Sequence, residues 1–293
     1  MSRVLVTGGS GLVGHSLHKY SDWLFPSSKE LDLLDHVSTM RYFDNIRPTI
    51  VVHLAARVGG LYRNLNENME MFHDNMKMNL NIVQACEQYK VTKLIVVLST
   101  CIFPDKCEYP LDESMIHMGP PHHSNEGYAY AKRMLEVQTK LLKNTKTICL
   151  IPTNLFGPHD NFDLTTAHVI PALINKAVNN KTFNVLGSGR ALRQFLYVED
   201  FANIIHTCVH WEQVNEHELF ICAPNEEDEV YIEYVVDIIK NHVGIDEITY
   251  DMTCSDGQYK KTASNKKLLE TFPNIKFSNF EEKLKDTINW YIK

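Results

Sequence analysis

Short apolar runs alternate with longer amphipathic segments through the first half of the chain. In the amphipathic segments apolar residues recur every three to four positions, which is typical of helices with one buried face, whereas a short unbroken apolar run suits a strand buried on both faces. This alternation predicts βαβ units with a parallel sheet between two layers of helices. The predicted strands are 3–7, 23–26, 49–55, 93–99 and 146–151, and the predicted helices are 12–20, 36–46, 67–89 and 126–143.

The pattern changes after Pro152, where turn-forming residues crowd the stretch from Asn154 to Asn161. Such a cluster is typical of a surface loop and marks the predicted end of the first structural unit. Helical periodicity returns in four segments, near 166–179, 199–210, 231–242 and 279–292. No internal repeat or low-complexity linker separates these segments from the first half, so we expect the second half to pack against the first.

Composition and charge narrow the class of protein. With 293 residues, 44% of them hydrophobic and 22% charged, the chain can bury a large core as one long α/β unit or as two packed domains. Its net charge of −7 and the lack of a dense basic run argue against nucleic acid as a partner. No apolar stretch approaches the roughly 20 residues that cross a bilayer, and no charged leader precedes the first strand, so we expect a cytoplasmic protein without a membrane partner.

The seven cysteines are odd in number, scattered and never spaced as a CxxC pair. This usage predicts neither a disulfide framework nor a zinc site, and we expect no bound metal. Any functional cysteine would therefore be a free thiol.

A glycine-rich turn follows the first predicted strand. Gly8, Gly11 and Gly14 are spaced three apart, so they allow a tight turn, a close approach of the backbone to a pyrophosphate and close packing of the next helix. Taken alone, the spacing also fits an ordinary strand-to-helix turn. Its position, between an N-terminal strand and an apolar helical segment, favours a dinucleotide site in an α/β fold with a Rossmann-type, doubly wound parallel sheet.

The second predicted strand indicates which dinucleotide binds. An NAD site usually places Asp or Glu at the end of this strand, where it binds the ribose 2′-hydroxyl. Here the strand leads instead into the turn Ser27–Lys29, whose hydroxyls and cation suit the 2′-phosphate of NADPH. Glu30 follows directly, so a solvated turn with no role in cofactor choice is the alternative.

Tyr128 and Lys132 supply the chemistry of a carbonyl reductase. Because they are four residues apart on a predicted helix, their side chains share one face. A nearby ammonium favours the phenolate and lowers the pKa of the tyrosine, which makes the phenol a usable proton donor to a carbonyl oxygen whose carbon receives hydride. Ser99 ends an apolar run at the edge of the sheet where ligands bind. The alternative is an exposed helical face that carries the tyrosine and the lysine by chance.

Cys101, two residues after Ser99, is the feature that indicates chemistry beyond a simple reduction. An isolated thiol is most often a core residue, but beside a reactive carbonyl its thiolate could remove a proton from the neighbouring carbon. Such a base needs an acid on the other side of the substrate. His168 is the candidate, because histidine titrates near neutral pH.

Together these residues resemble the GDP-L-fucose synthase family of extended short-chain dehydrogenase/reductases. The similarity spans nearly the whole chain. It is carried by Tyr128 with Lys132 and by the segments Thr7–Gly14, His53–Gly60, Ser99–Pro104, Pro152–Phe162, His168–Pro171 and Ser255–Asn265. The resemblance implies an NADPH-dependent enzyme that epimerises GDP-4-keto-6-deoxy-D-mannose at carbons 3 and 5 and reduces its 4-keto group, giving GDP-L-fucose.

The resemblance also implies a role for each matching residue. Tyr128 would donate the proton at carbon 4, Lys132 would position the ribose, and Ser99 would hydrogen-bond the carbonyl. Cys101 would be the epimerisation base and His168 the acid. The implied cofactor-binding residues are Gly8, Gly9, Ser10, Gly11, Leu12, Val13, Gly14, Ser28, Lys29, Leu33, Ala55, Ala56, Leu98, Lys132, Pro152, Asn154, Leu155 and His168. The implied substrate-binding residues are Lys176, Leu186, Arg193, Asp256 and Lys261.

Two positions depart from the family pattern. Leu186 replaces a tryptophan that would pack on sugar or nucleotide, and Lys176 stands where bacterial members carry arginine, which weakens a bidentate phosphate contact. Each cation taken alone is more often a solvated surface charge. The same chemistry on another nucleotide-linked 4-keto-deoxy sugar is therefore the first alternative, and a cofactor-bound regulatory protein without turnover is the second.

The resemblance and the change of pattern after Pro152 together predict two domains. Residues 1–155 form an NADP-binding Rossmann domain, to which a segment near 187–215 returns, and residues 156–293 form mainly a smaller C-terminal α/β domain that binds the substrate. Related enzymes imply a homodimer. The long predicted helices 67–89 and 126–143 could form a shared bundle, although helices buried within one chain would give the same pattern.

Overall fold

Eleven strands and ten α-helices make up the part of the chain that the computed structural model describes, residues 2–180, 183–254 and 258–293. The strands are β1 Val4–Thr7, β2 Ile50–His53, β3 Lys93–Val97, β4 Lys146–Pro152, β5 Asn154–Phe156, β6 Phe183–Leu186, β7 Leu192–Arg193, β8 Phe195–Tyr197, β9 His217–Cys222, β10 Val230–Tyr231 and β11 Ile248–Asp251. The helices are α1 Leu12–Leu17, α2 His36–Ile46, α3 Leu61–Asn66, α4 Asn68–Gln88, α5 Glu126–Lys140, α6 Val169–Asn179, α7 Val198–His210, α8 Ile232–Val243, α9 Lys266–Thr271 and α10 Phe280–Ile292.

A parallel sheet of five strands, in the order β1-β2-β3-β4-β9, forms the centre of the molecule. On one face Val51, Leu94 and Val96 pack against residues of α2, α4 and α5. On the other face Val6 and Ile95 pack against residues of α1 and α7. The fold is therefore a Rossmann-like α/β sandwich, as the sequence predicts, and burial on both faces explains why β1 to β4 are unbroken apolar runs.

Most predicted elements are confirmed. The predicted strands 3–7, 49–55, 93–99 and 146–151 correspond to β1, β2, β3 and β4. The predicted helices correspond to α1, α2, α4, α5, α6, α7, α8 and α10, with ends that differ by a few residues. Periodicity is a strong signal in these segments because each buries one continuous apolar face.

The prediction of a strand at 23–26 is wrong. Only Leu24 bridges to β1, where it donates to Val4 O and accepts from Val6 N. The ladder does not extend, because Pro26 has no N–H to donate and the chain turns directly after it. Leu24 nevertheless lies on the side of β1 opposite to β2, so the strand order reverses at β1, and open α/β sheets bind ligands at such a reversal.

The second half of the chain returns to the sheet. Helix α7 packs on the same face as α1, and β9 pairs with β4 as the fifth strand. Strand β9 was not predicted although Leu219–Cys222 is a short apolar run. Its first three residues are only half-buried at the edge of the sheet, and so short a run suits a buried helix segment equally well. The predicted returning segment 187–215 contains α7 and ends before β9. The division into two domains stays a prediction.

A second, smaller core lies among the remaining elements. Phe156, Ile174, Phe195, Val235 and Leu284 belong to one buried cluster contributed by β5, α6, β8, α8 and α10. The short strand pairs β5–β8, β6–β11 and β7–β10 complete this part. These elements carry the segments in which the sequence predicts substrate contacts.

Each of the seven cysteines is a free thiol. Within the described ranges no helix is both long and apolar enough to cross a membrane. In the same part of the chain, no three side chains of His, Cys, Asp or Glu are arranged to hold a metal ion.

Candidate active site

A cavity of about 1280 Å³ lies at the carboxyl end of the sheet. It is lined by the segments that follow β1, β2, β3 and β4, and by residues of α6, β6 and β7 from the second core. All five predicted catalytic residues line it: Ser99, Cys101, Tyr128, Lys132 and His168. Carboxyl ends of parallel strands meet at one edge of a sheet, so the topology assembles residues that are far apart in sequence.

The glycine turn between β1 and α1 forms one wall of the cavity. Gly8 has a φ of +76°, and a Cβ added there would lie 2.7 Å from the backbone nitrogen of Ala55. A Cβ on Gly14 would lie 2.5 Å from the backbone of Gly9, because α1 packs directly on the turn. At Gly11, which lines the cavity, a Cβ would meet no described atom closer than 3.5 Å. The turn thus leaves a concave, backbone-lined wall that fits a pyrophosphate.

Most of the predicted cofactor-binding residues line the cavity. They are Gly8, Ser10, Gly11, Leu12, Val13, Gly14, Ala55, Ala56, Leu98, Lys132, Pro152, Asn154, Leu155 and His168. Gly9 instead faces Phe25, whose side chain would lie 3.0 Å from an added Cβ. Leu33 is buried in the core, and its neighbour Leu34 lines the cavity in its place.

Ser28 and Lys29 lie in an exposed turn outside the cavity lining. The carboxylate of Glu30 accepts hydrogen bonds from the N–H and the hydroxyl of Ser27, both at 2.8 Å. These bonds hold the turn together and lower the pKa of Glu30. Since the carboxylate is tied back into its own turn, it is not aimed at the cavity, and contact of Ser28 and Lys29 with a 2′-phosphate stays a prediction.

Lys132 is buried below Tyr128 on α5. Its Nζ donates to the carbonyl oxygen of Val97 at 2.7 Å and lies 5.8 Å from the centre of the Tyr128 ring. Burial lowers the pKa of Lys132 to about 8. It also raises the pKa of Tyr128, and the nearby Cys101 adds to the rise. The expectation that the pKa of Tyr128 is lowered is therefore wrong: burial raises it, and the phenol keeps its proton at neutral pH.

Ser99 and Cys101 lie where β3 ends and a short 3-10 turn begins. The Ser99 hydroxyl accepts a hydrogen bond from the backbone N–H of Cys101 at 3.4 Å. Burial raises the pKa of the Cys101 thiol, while the Ser99 hydroxyl, Lys261 and Lys132 act to lower it. The thiol is thus protonated at neutral pH, with two cations near enough to favour its thiolate.

His168 immediately precedes α6 and opens onto the cavity. The residue is exposed within the cavity, and the protein around the ring lowers the pKa of the imidazole because it makes solvation of the charged form less favourable. A neutral imidazole at this position can accept one proton, and the imidazolium that results can donate it.

Four of the five predicted substrate-binding residues line the end of the cavity formed by the second core: Lys176, Leu186, Arg193 and Lys261. Lys176 donates from Nζ to Asn184 O at 3.1 Å, and Arg193 donates to Leu192 O at 2.7 Å. Burial lowers the pKa of Lys261, and the charge of Arg193 lowers it further. Arg193 and Lys261 lie close enough to interact, and together with Lys176 on the same cavity lining they suit a polyanion. The remaining prediction, Asp256, lies outside the described residues.

Two further polar residues line the cavity and were not predicted from the sequence: Asn125 and Asp160. The side-chain oxygen Oδ1 of Asn125 and Oδ2 of Asp160 are buried, and neither has a hydrogen-bond partner among the described residues. Burial raises the pKa of Asp160 to about 7. Asn125 precedes Tyr128 by three residues, so the spacing of side chains on a helix face was the signal that could have found it. Asp160 lies in the turn-rich stretch after Pro152, where no periodicity shows which side chains point inward.

Comparison with known proteins shows the family to which this chain is similar. The model of the NAD dependent epimerase/dehydratase family matches residues 4–222. The GDP-L-fucose synthase of Dictyostelium discoideum is 44% identical, over 99% of this chain and 95% of that protein. The probable GDP-L-fucose synthase of Drosophila melanogaster is 40% identical, over 100% of this chain and 98% of that protein.

A solved structure gives the same picture. The crystal structure of a GDP-L-fucose synthetase from Naegleria fowleri bound to NADP superposes with a TM-score of 0.91 at 40% identity, covering 99% of this chain and 92% of that one. The fold, the residues of the cavity and the sequence similarity over the full chain therefore all indicate the same enzyme family. The chain belongs to the NAD dependent epimerase/dehydratase family of extended short-chain dehydrogenase/reductases, and within that family to the branch of the GDP-L-fucose synthases.

Proposed function

We propose that this protein epimerises GDP-4-keto-6-deoxy-D-mannose at carbons 3 and 5 and reduces its 4-keto group with NADPH, giving GDP-L-fucose. The observation that carries the proposal is the meeting of Ser99, Cys101, Tyr128, Lys132 and His168 in one cavity beside the glycine turn. A reductase needs the serine, the tyrosine and the lysine. The additional thiol and imidazole suit proton exchange at the carbons next to the ketone.

Reduction is the task of Ser99, Tyr128 and Lys132. NADPH, when bound along the glycine turn, supplies the hydride that reaches carbon 4. Tyr128, which burial keeps protonated, gives its proton to the carbonyl oxygen as negative charge develops there. Ser99 donates a second hydrogen bond to that oxygen, and Lys132 positions the ribose and supplies positive charge beneath the phenol.

Epimerisation uses the same polarised carbonyl. The 4-keto group acidifies the protons on carbons 3 and 5, so Cys101, as thiolate, removes one of them while the resulting enolate charge rests on the carbonyl oxygen. The donors Ser99 and Tyr128 stabilise that charge. His168, as imidazolium, gives a proton to the other face, which inverts the carbon. The cycle closes when Cys101 loses its proton to solvent and His168 takes one up from solvent.

The cationic end of the cavity would hold the substrate's diphosphate. Lys176, Arg193 and Lys261 provide charge-assisted contacts to phosphate oxygens. Leu186, 41% exposed at this end, offers an apolar surface to the nucleotide or sugar.

Turnover with defined substrates tests the proposal. Purified protein is incubated with NADPH and GDP-4-keto-6-deoxy-D-mannose, oxidation of NADPH is followed by absorbance, and the stereochemistry of the product is determined by NMR. We expect GDP-L-fucose. Turnover of a dTDP- or UDP-linked 4-keto sugar but not of the GDP sugar would replace the substrate assignment, and no oxidation of NADPH with any of them would overturn the enzymatic assignment.

We also propose that the protein is a cytoplasmic homodimer that pairs through α4 and α5. These helices pack side by side, and Met69, Leu80 and Leu141 on or next to them are exposed. Seven free thiols suit a reducing compartment. Light scattering on wild-type protein and on Leu80→Lys would test the dimer, since a charge within the shared surface should shift the mass to that of a monomer.

A further inference from the structure

The ring of His168 is held in place only through its backbone. The residue immediately precedes α6, yet its imidazole makes no capping hydrogen bond to that helix and has no other hydrogen-bond partner among the described residues. Where the ring points within the cavity therefore depends on the chain that carries it. A general acid must lie within hydrogen-bond reach of the atom that it protonates, so this chain has to be fixed.

The backbone before His168 forms a tight turn. The N–H groups of Thr166 and Ala167 both donate to the carbonyl oxygen of Asp163, at 3.0 and 2.7 Å. The Asp163 carboxylate accepts from the N–H and the hydroxyl of Thr165, at 2.8 and 2.7 Å. These bonds fix the shape of the turn but not its location, because they all lie within it.

The location of the turn is set by Gly60, in the segment after β2. The N–H of Gly60 donates to the carbonyl oxygen of Thr166 at 3.1 Å. A Cβ on Gly60 would lie only 2.6 Å from the carbonyl oxygen of Ala167, the residue before His168. The turn therefore packs directly on the backbone of Gly60, and any side chain at this position would force the turn away.

Gly60 is itself held by Asn64. Nδ2 of Asn64 donates to the carbonyl oxygens of Gly59 and Gly60, at 2.7 and 3.0 Å, and the Asn64 side chain is buried. Closer to β2, Asn75 of α4 accepts from the N–H of Arg57 at 2.9 Å and donates to its carbonyl oxygen at 3.0 Å. Fixed contacts therefore run from the central sheet through Gly60 to the turn.

We propose that Gly60 is a positioning residue, which places the imidazole of His168 for proton transfer to the face of the sugar carbon opposite Cys101. This inference rests on the proposed function. If the turn is displaced, Cys101 still removes a proton from the carbon. Its thiol exchanges that proton with solvent and returns one to the same face. Exchange with solvent then continues while inversion fails, and a misplacement of about 1 Å can cost a hundredfold in rate.

Exchange and inversion, measured on one sample, test the proposal. Gly60→Ala is incubated with NADP and GDP-4-keto-6-deoxy-D-mannose in deuterated buffer, and NMR follows deuterium uptake and configuration at carbons 3 and 5. We expect exchange near the wild-type rate and inversion slower by about ten- to a hundredfold. Gly119→Ala, whose methyl group would make an ordinary contact at 3.4 Å with Pro104, is the control and should match wild type. Unchanged inversion, or equal losses in exchange and inversion, would overturn the proposal.

A double-mutant comparison shows whether Gly60 acts through His168. His168→Ala removes the acid and should give the same pattern, exchange without inversion. If Gly60 positions the ring, adding Gly60→Ala to His168→Ala should slow inversion little further. Losses that multiply would contradict this role, because they mean that the two residues act independently.

A change at Asn64 tests the same role if Gly60→Ala does not fold. Asn64→Asp keeps the size of the side chain but loses both hydrogens of Nδ2, so it releases the carbonyl oxygens of Gly59 and Gly60 without adding an atom that could clash. It should slow inversion more than exchange, and an unchanged ratio of the two rates would refute the positioning role. Failure of wild-type protein to invert either carbon would instead overturn the proposed function itself.

Discussion

At the scale of single residues, burial pushes the ionisable groups around the cavity toward their neutral forms. It raises the pKa of Tyr128 and Cys101 and lowers that of Lys132 to about 8. A phenol that keeps its proton is well suited to give it to an oxygen that becomes basic only when hydride arrives. A buried thiol is the opposite case, since it must lose its proton before it can act. Under the proposed function, the charge of Lys261, which favours the Cys101 thiolate, should therefore contribute to epimerisation.

We expect Cys101→Ser to abolish proton exchange and leave cofactor binding intact. A serine hydroxyl is far less acidic than a thiol, so deuterium incorporation from solvent at carbons 3 and 5 should fall by roughly 10²–10⁴-fold. In wild type the exchange should rise with pH through the neutral range, because the raised pKa of Cys101 means that more thiolate forms as the pH increases. NMR of the sugar in deuterated buffer measures the exchange, and titration with NADPH is the control. Undiminished exchange in the variant would exclude Cys101 as the base.

Tyr128→Phe should show the reverse pattern. Without the phenolic hydroxyl no proton reaches the oxygen on carbon 4, so NADPH oxidation should fall by about 10²–10⁴-fold, while some exchange at carbons 3 and 5 persists through Cys101 and Ser99. Stopped-flow absorbance and deuterium incorporation, measured on the same sample, separate the two steps. Near-normal oxidation of NADPH would refute the role of Tyr128 as donor.

At the scale of elements, the close packing of α1 on the glycine turn determines the shape of the cavity wall that this turn forms. The helix has only six residues, Leu12–Leu17, and Gly14 allows it to approach the turn so closely that no side chain fits between them. The wall is thus formed by backbone and stays open at Gly11. A change that lifts α1 should distort the wall without touching the catalytic side chains.

Gly14→Ala tests this packing. The added methyl group would lie 2.5 Å from the backbone of Gly8 and Gly9, and the helix must move to admit it. We expect a loss of about 1–3 kcal/mol in the free energy of unfolding and weaker binding of NADPH, measured by denaturant titration and by fluorescence of the bound nucleotide. Gly119→Ala is the control, because its methyl group would make an ordinary contact at 3.4 Å with Pro104. Equal effects of the two substitutions would contradict this role of Gly14.

The elements also show what could be predicted from the sequence. Segments that bury a continuous apolar face, such as α4 and β3, have a strong periodic signal and were predicted with nearly correct ends. The edge strand β9 carries the apolar run Leu219–Cys222 but was not predicted, because a short apolar run does not distinguish a strand from a buried helix segment. The run at 23–26 has the apolar residues of a strand but lacks a partner beyond one bridge. Residue types revealed the chemistry of Tyr128 and Lys132. The direction of the Tyr128 pKa shift was missed because it depends on tertiary burial.

At the scale of the whole molecule, a buried histidine ties the sheet to the helix that carries the tyrosine and the lysine. Asn79 of α4 donates from Nδ2 to Ala131 O on α5, so its Oδ1 accepts from Nε2–H of His53 on β2. The other ring nitrogen, Nδ1, then accepts from the Thr7 hydroxyl on β1 at 2.8 Å. Two strands and two helices thus depend on one neutral imidazole. Burial, aided by the nearby charge of Lys132, lowers the pKa of His53 to about 3.

This network predicts how the stability of the protein depends on pH. The pKa of His53 is 6.5 in the unfolded chain and about 3 in the folded one, so between these values the unfolded chain binds a proton that the folded chain does not. Lowering the pH from 6.5 toward 3 therefore removes stability, by up to about 5 kcal/mol from this residue alone.

His53→Gln cannot take up the proton. It should be less stable than wild type at pH 7, because it loses part of the network, but its free energy of unfolding should fall less steeply between pH 6.5 and pH 4. Urea titrations at each pH measure the slopes, with His242→Gln in α8 as a control that should follow wild type. Parallel curves for wild type and His53→Gln would mean that other groups set the acid limit.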